Sequence, residues 1–410
     1  MPDPDSTPLR EAVTRRQEYP IKATPATPSL RRILATKIAT EGPIRFTDFM
    51  AVALYHPELG YYARETRQVG RGGDFFTSVS VGPLFGNLLA RRFLSEWQEL
   101  GSPARWRIIE CGAHDGTLAA DVLDALQQLN AVAFAAVEYA ICEPLPRLRS
   151  AQRATLQPFS GKVVLIDELG SLAAFPLPGI VFGNELLDAL PFHLLEWCSG
   201  RWHECRVGCD SEGGFFWNTD NPVVDPLLIE AVDVLGENFP EGYRTEVRTN
   251  IRSFLEPLTR CISTGLLLWP DYGFARPDYY LPERHRGTLR TFSSHRAAED
   301  PLATPGEIDI TAHVDFTAVA ESAIALGCQV RAFRNQGAWL TEIGREWLLS
   351  LEGRPQVDLL RQFQTLTHPA HLGGSFHILE LAWKNPSAPA LPATDLHRLA
   401  LHACPPPLSQ

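Results

Sequence analysis

Two glycines and several polar residues follow the first strand-like apolar segment of the chain. The segment WRIIEC carries Glu110 near its end, and Gly112 then opens the sequence GAHDGT, which also contains Gly116. Glycines at the carboxyl end of a buried strand let a ligand approach the backbone. The spacing G-x-x-x-G is neither a dinucleotide fingerprint nor a phosphate loop. It favours a nucleoside without a pyrophosphate, such as S-adenosylmethionine, and an ordinary structural turn is the alternative.

A carboxylate stands at the end of the next strand-like segment. Glu143 closes YAICEP, and a carboxylate in this position of dinucleotide-binding folds accepts hydrogen bonds from ribose hydroxyls. Taken with the glycines, this position predicts that Glu143 holds the ribose of the ligand. A solvated loop acid is the alternative.

Asn184, Glu185 and Asp188 follow the apolar run GIVF, where the reactive end of such a ligand would lie. Transfer of a methyl group from a sulfonium depends mainly on in-line positioning and on the electrostatics around the nucleophile. Carboxylates orient a guanidinium nucleophile through charge-assisted hydrogen bonds. We therefore expect Glu185 and Asp188 to orient the acceptor, and Asn184 to contact the cofactor or to cap a helix.

A metal site is the weaker alternative chemistry. Cys198, His203, Cys205 and Cys209 lie close together in the sequence, but no C-x2-C pair occurs anywhere in the chain. Zinc sites built from cysteine and histidine usually contain such a pair. We therefore expect ordinary side chains of short strands here, and no bound metal.

The segments that must position these residues alternate between two periodicities. Helical spacing dominates before residue 100, and Thr117 is the predicted N-cap of the helix TLAADVLDALQQL. Beyond it, helical segments separate the strand-like runs YAICEP, KVVLIDEL, GIVF, TGLLLWPDYG, CQVRAF and FHILELAWK. Nearly all-apolar strands between helices indicate a buried, mainly parallel sheet. The sequence therefore predicts a doubly wound α/β fold with about seven core strands.

Changes in composition and periodicity give the predicted organisation. It comprises a mobile N-terminal arm (1–28), a helical cap with the loop GGDFFTS (29–104), the α/β core (105–191 and 264–384), an insertion of β-meander and helices (192–263), and a Pro-rich tail (385–410). The insertion begins after Pro191, where SG and GG turn signals separate short strand-like runs. It is the expected place for partner choice, since connecting segments of this kind vary most.

Composition excludes several classes of protein. An apolar fraction of 45% rules out a wholly disordered chain, and no run of residues is long and apolar enough for a membrane-spanning helix. The net charge of −11 gives no overall electrostatic reason to bind nucleic acid. The N-terminus shows no apolar signal segment. We expect a cytoplasmic protein without membrane or nucleic-acid partners, or a mitochondrial matrix protein in a eukaryote.

Collinear motifs over most of the chain resemble one known family. They are GYY (60–62), GGDFFTS (72–78), LFG (84–86), NELLDALP (184–191), DYG (271–273) and DITAHVDF (309–316). In this order and spacing they resemble the MidA family of S-adenosylmethionine-dependent methyltransferases, which is related to a mitochondrial complex I assembly factor. The resemblance implies a class I, Rossmann-like fold and methylation of a protein arginine.

The resemblance also implies site residues. The loop residues Gly73, Asp74, Thr77 and Ser78 would close over the cofactor, and Glu110, Gly112, Gly116, Glu143 and Asn184 would hold it. Asn184, Glu185 and Asp188 would face the methyl group. Glu246, Asp271, His295, His313 and Asp315 match the family pattern without an implied role.

Two departures from the family pattern stand near the predicted site. His114 occupies a turn that usually reads GPGRG, where a side chain is costly if the backbone needs positive φ. Ser80 replaces a usual glutamate. They leave a second hypothesis open, an S-adenosylmethionine-binding assembly factor or chaperone with weak or absent catalysis. The sequence names neither the protein substrate nor the oligomeric state.

Overall fold

The computed structural model describes residues 29–64, 77–293, 296–297, 300–353, 356–384 and 396. The predicted arm 1–28 and nearly all of the tail 385–410 therefore lie outside the described residues, as do Gly73 and Asp74 of the predicted loop. Within these ranges, none of the helices has the length and apolar character needed to cross a bilayer.

The strands are β1 (Ile44–Arg45), β2 (Trp106–Cys111), β3 (Val137–Cys142), β4 (Val163–Ile166), β5 (Leu177–Phe182), β6 (His193–Cys198), β7 (Arg201–Glu204), β8 (Arg206–Cys209), β9 (Phe215–Asn218), β10 (Arg244–Val247), β11 (Ile262–Phe274), β12 (Arg290–Ser293), β13 (Arg296–Ala297), β14 (Asp309–Thr311), β15 (Val314–Asp315), β16 (Cys328–Asn335) and β17 (Phe376–Trp383).

The helices are α1 (Leu30–Glu41), α2 (Phe46–Tyr55), α3 (Leu84–Glu99), α4 (Thr117–Leu129), α5 (Ala131–Ala136), α6 (Pro146–Thr155), α7 (Gly170–Ala173), α8 (Pro226–Asp233), α9 (Ile251–Thr259), α10 (Arg276–Tyr279), α11 (Phe316–Ala325), α12 (Gln336–Ile343), α13 (Arg345–Ser350), α14 (Val357–Thr367) and α15 (Leu372–Ser375).

The central sheet has the strand order β4-β3-β2-β5-β11-β17-β16, and the short β15 pairs with the end of β11. The strands from β4 to β11 run parallel, whereas β17 is antiparallel to both of its neighbours. Every residue of β2 is buried, as expected for a strand covered on both faces. The sheet confirms the predicted α/β fold class, and the chain order reverses between β2 and β5. Open α/β sheets bind their ligands at such a reversal.

Two hydrophobic clusters cover the two faces of the sheet. One packs α3 and α4 against the sheet around Phe93, Trp106 and Phe182. The other packs α9 and α11 around Trp269 and Phe316. Helix α9 lies within the range predicted as an insertion, but its buried Ile251, Leu255 and Leu258 belong to this core cluster. It is the helix that carries the chain back to β11.

The inserted strands do not form one continuous meander. They divide into the antiparallel sheets β10-β6-β7 and β1-β8-β9. In the second sheet Ile44 and Arg45 of the N-terminal cap pair with Val207 and Arg206 of the insertion. A shared cluster that includes Phe46, Phe49, Leu194 and Val207 fills the space between them. The cap and the insertion therefore build one structure above the carboxyl ends of β2 and β5.

Candidate active site

The turn after β2 has a left-handed backbone at three places. The φ angles of Gly112, His114 and Gly116 are +72°, +46° and +86°. A Cβ at Gly112 would lie 2.9 Å from Leu186 Cδ1, so a side chain here would have to displace Leu186 and also adopt a strained left-handed backbone. His114 carries the strain expected of a non-glycine residue in this region. Its carbonyl accepts a hydrogen bond from Gln152 Nε2 at 2.9 Å, which helps to hold the strained turn.

The predicted capping of α4 by Thr117 is wrong. Thr117 is the first helical residue, and the position before it is Gly116, which has no capping side chain. Asp115 supplies the cap instead, since its Oδ1 accepts a hydrogen bond from the Thr117 backbone N at 3.0 Å. Partial burial raises the pKa of Asp115, but hydrogen bonds from His114 and Thr117 outweigh it and bring the pKa to about 2.

The loop after β5 is held from below by a buried carboxylate. Asp271 Oδ2 accepts hydrogen bonds from the backbone N of Leu186, Leu187 and Asp188 at 3.1, 2.8 and 3.3 Å. Burial and the charges of Asp188 and Glu185 raise the pKa of Asp271 well above its usual range. Asp271, which the sequence left without a role, therefore shapes the loop that presents Glu185 and Asp188.

Glu185 connects this loop to the cap. Its φ is +51°, and its Oε1 accepts hydrogen bonds from the Ser78 backbone N at 3.2 Å and from Asn184 Nδ2 at 3.1 Å. Burial and the neighbouring Asp188 raise the pKa of Glu185 to about 8, although these two hydrogen bonds lower it. In the absence of a cation, the Glu185 side chain is therefore mostly protonated at pH 7.

Two tyrosines donate hydrogen bonds to the acidic side chains of Asp188 and Glu110. The Tyr272 hydroxyl donates a hydrogen bond to Asp188 Oδ2, and Asp188 is 4% exposed. The Tyr139 hydroxyl donates to Glu110 Oε2 at 2.7 Å. Burial raises the pKa of Glu110 to about 8 in spite of that hydrogen bond. Carboxylates with raised pKa values in one cavity are typical of functional sites.

These residues enclose a cavity of about 260 Å³. The residues that line it, among those the structure describes, are Tyr62, Thr77, Val79, Ser80, Glu110, Gly112, Ala113, His114, Asp115, Thr117, Leu118, Asn184, Glu185, Asp188, Tyr272 and Asp309. Five of the lining side chains are acidic, and this described part of the wall contains neither lysine nor arginine. The cavity therefore suits a ligand that brings positive charge.

The structure brings most of the predicted site residues together. The predicted residues that line the cavity are Thr77, Glu110, Gly112, Asn184, Glu185 and Asp188. Ser78 is not in the lining, but its backbone N donates a hydrogen bond to Glu185. Gly116 is not in the lining, and its left-handed backbone instead precedes α4.

Glu143 also stands apart from the cavity lining. Its Oε1 accepts a hydrogen bond from the Leu145 backbone N at 2.9 Å. Burial raises the pKa of Glu143, while the hydrogen bond from Leu145 and nearby groups, His114 among them, lower it. Glu143 is therefore close to the His114 turn but does not line the cavity.

Sequence reasoning missed Tyr62, Tyr272 and Asp309 as lining residues. Each lies within a motif of the family resemblance, in GYY, DYG and DITAHVDF respectively. Their segments come from the cap, from the end of β11 and from β14, so no local spacing connects them. The motifs were the one available signal.

The remaining sequence candidates have structural partners. Glu246 accepts hydrogen bonds from Thr288, Leu289 and Tyr279, which makes it an anchor for the chain before β12. Asp315 caps α11 through the backbone N of Thr317 and Ala318. His295 lies outside the described residues.

His313 is a partly buried histidine behind the cavity. It packs edge-on against Tyr272, with ring centroids 5.4 Å apart. Burial and nearby arginines lower the pKa of His313 to about 4, so the ring is neutral at physiological pH.

The candidate zinc ligands do not form a metal-binding group in the described structure. Cys198 contacts Ser199 Oγ, and Cys209 contacts the Asp210 carbonyl. Cys205 and His203 are buried at 0% and 6% exposure. No group of three or more side chains able to hold a metal ion occurs in the described part of the chain.

The cavity has features that fit S-adenosylmethionine. Gly112 brings bare backbone to the wall, and Asn184 Oδ1 is a buried acceptor without a hydrogen-bond partner among the described residues. Such an acceptor needs a donor from a ligand or water, and the amino group of the methionine part would be one. The acidic lining complements both that amino group and the sulfonium.

Comparison with known proteins agrees with this chemistry. Residues 88–334, more than half of the chain, match the family model Methyltransf_28, which describes S-adenosyl-L-methionine-dependent methyltransferases. A Drosophila melanogaster relative, named protein arginine methyltransferase NDUFAF7 homolog, mitochondrial, is 30% identical over 92% of this chain and 90% of its own length. The human protein arginine methyltransferase NDUFAF7 is 28% identical over 87% of this chain and 84% of its own length.

A solved structure supports the same assignment. A Burkholderia thailandensis protein crystallised with S-adenosyl-homocysteine superposes with a TM-score of 0.77 at 31% identity, covering 89% of this chain and 94% of its own. The demethylated cofactor in that structure identifies the class of donor. Together with the glycine turn, the acidic cavity and the sheet order, these comparisons show that the chain belongs to this family of S-adenosyl-L-methionine-dependent methyltransferases.

Proposed function

We propose that this enzyme methylates an arginine side chain of a partner protein. The observation that carries the proposal is the acidic cavity, in which Glu185 and Asp188 follow β5 at the predicted acceptor end. A guanidinium is planar, always charged and able to donate two parallel hydrogen bonds to a carboxylate. The names of the relatives in flies and humans agree with this acceptor.

In the proposed mechanism, the bound S-adenosylmethionine supplies an activated methyl group. Asp188, fixed by the Tyr272 hydroxyl, and Glu185 would hold the guanidinium so that one nitrogen points in line with that group. A guanidinium nitrogen that gains a methyl group must release one proton. Glu185, with a pKa near 8 in the empty cavity, is suited to accept it.

The donor side of the proposal rests on the turn after β2. Gly112 would let the adenosine approach the backbone, and Asn184 Oδ1 and Glu110 would contact the amino-acid end. Thr77 and Ser78 would cover the cofactor from the cap, together with the loop residues Gly73 and Asp74. Glu143 stays the proposed ribose ligand, which requires that the cavity extend to this residue when the cofactor binds.

One observation favours the alternative of a cofactor-binding assembly factor with weak catalysis. His114 occupies a left-handed position and is one of the residues that line the cavity. If its ring obstructs the donor, His114→Gly will tighten binding of S-adenosylhomocysteine in calorimetry. If the ring is compatible with the donor, the affinity will stay the same or fall, and this alternative loses its support.

Transfer of a labelled methyl group into an arginine-containing peptide or a cell lysate tests the proposal. We expect labelling by the native chain and its loss in the double variant Glu185→Gln, Asp188→Asn, with S-adenosylhomocysteine still bound. Glu256→Gln, an exposed acid paired with Arg260, is the matched control. Cofactor binding without any labelling would refute catalysis and support the assembly-factor alternative.

The proposal includes a protein partner and a cytoplasmic location. The acidic cavity and the negative net charge disfavour nucleic acid as the substrate. The curated relatives are named as mitochondrial, so fractionation of the source cells decides where this chain acts.

A further inference from the structure

One wall of the cavity has no role in the mechanism above. It contains Tyr62, from the segment after α2, and Asp309, the first residue of β14. Asp309 is 3% exposed. Its Oδ1 accepts hydrogen bonds from the Tyr62 hydroxyl at 3.0 Å and from the Ile310 backbone N at 3.0 Å. A buried carboxylate is therefore held at the cavity surface in a fixed orientation.

Backbone contacts place this wall at the acceptor end of the cavity. The Ala312 backbone N donates to the Asp188 carbonyl at 3.2 Å. Arg248 Nη2 donates to both the Asp188 and the Ala312 carbonyls, at 2.7 and 2.9 Å. The chain that begins at Asp309 is thus tied to the backbone of Asp188. None of these contacts involves the glycine turn on the donor side.

The same wall has an aromatic surface. The Tyr62 ring stacks on Tyr55, with centroids 5.3 Å apart and an interplanar angle of 29°. The Tyr55 hydroxyl in turn donates to the Ala189 carbonyl at 2.7 Å. A guanidinium packs well on the face of such a ring, so Tyr62 offers both a surface for a planar cation and a hydrogen bond that orients Asp309.

We propose that Asp309 is a recognition residue for the cationic acceptor and that Tyr62 is the residue that positions it. The inference rests on the proposed function. Asp309 would contact the guanidinium from β14, whereas Glu185 and Asp188 would contact it from the loop after β5, so that the acceptor meets carboxylates of two segments and an aromatic ring. This arrangement favours a planar guanidinium over the compact ammonium of lysine.

The test is a titration of Nα-acetyl-arginine amide into the full chain loaded with S-adenosylhomocysteine, together with initial rates on an arginine-containing peptide. In Asp309→Asn we expect the Kd and the KM to rise about tenfold, as for loss of one charged hydrogen bond. The kcat and the affinity for S-adenosylhomocysteine should change less than about twofold. Tyr62→Phe should raise the KM about threefold. Glu307→Gln, an exposed acid just before β14 that pairs with Arg64, is the matched control and should behave as the native chain.

Thermal melting of each variant confirms that it is folded before the constants are compared. An unchanged KM in folded Asp309→Asn overturns the inference, and so does a parallel loss of S-adenosylhomocysteine binding, which would assign Asp309 to the donor. No binding of the arginine probe to the native chain also overturns it. Probe binding that depends on Asp309 without any methylation refutes the proposed function but supports this inference.

Discussion

The raised pKa of Glu185 makes a prediction about the pH dependence of methyl transfer. The group is protonated in the empty site because burial and Asp188 oppose its charge, and its pKa is about 8. If only the carboxylate form orients the acceptor and takes its proton, the rate must follow the ionised fraction. Replacement of Glu185 by glutamine removes this titration while it keeps the size of the side chain.

The magnitude follows from the titration curve. With a pKa of about 8 the ionised fraction is about one tenth at pH 7 and about one hundredth at pH 6. At donor and acceptor concentrations below their KM values, the rate reports the pKa values of the free enzyme. We therefore expect it to rise by at least about tenfold from pH 6 to pH 7 and to level off above pH 8.

Glu110 provides the comparison variant, since burial raises its pKa to about 8 as well but our proposal places it against the donor and not the acceptor. In the Glu110→Gln variant the rate of methyl transfer should still rise at least tenfold from pH 6 to pH 7, because Glu185 still titrates. In Glu185→Gln the increase over the same interval should be about tenfold smaller than in the native chain. Carbon NMR of the side-chain carboxyl measures the same pKa without turnover. A pH profile of Glu185→Gln with the native slope, or a Glu185 pKa near 4.5, would refute the reasoning.

Three further predictions concern stability. Glu246→Ala should lower the free energy of unfolding by about 3–4 kcal/mol, because Thr288, Leu289 and Tyr279 lose a buried acceptor; denaturant titration checks this, and a loss below about 1 kcal/mol contradicts it. Gly116→Ala should cost more than Gly101→Ala in thermal melting. Both glycines have a left-handed backbone, with φ angles of +86° and +84°. A Cβ at Gly116 would lie 3.1 Å from the Leu156 side chain, whereas a Cβ at Gly101 would contact none of the described residues. His313 has a pKa lowered to about 4, so the unfolded chain binds more protons between pH 6.5 and pH 4 and stability falls as the pH drops. His313→Phe should reduce that fall by up to about 1.4 kcal/mol per pH unit, and an identical acid limb would contradict it.

The sheet and half of the site could be predicted from sequence because both depend on local signals. Buried parallel strands are apolar throughout, as in β2 and β5, and therefore stand out from the amphipathic helices between them. Polar residues directly after such strands, such as Glu185 and Asp188, must meet at one edge of the sheet. The predicted strands were therefore sufficient to place Glu185 and Asp188 in the candidate site.

The rest depends on contacts between distant segments. Nothing in the sequence near Ile44 indicates that it pairs with Val207, and nothing near Tyr62 indicates a hydrogen bond to Asp309. The predicted core also passed from β16 directly to β17 and omitted α12, α13 and α14. Their amphipathic spacing, as in WLTEIGREWLLSL, was the signal that could have found them.

The pairing of β1 with β8 has a consequence for synthesis on the ribosome. The cluster that buries Phe46 and Phe49 also contains Leu194, Val207 and Ile310, so residues that are synthesised early pack against residues that are synthesised much later. At translation speeds of about 5–20 residues per second, those two phenylalanines wait on the order of ten seconds or more for their partners. During that interval the apolar faces of α1 and α2 lack the partners that Leu194, Val207 and Ile310 provide in the folded chain. We therefore expect a nascent chain halted before residue 194 to bind chaperones through this surface, and the completed chain, in which the cluster is buried, not to do so.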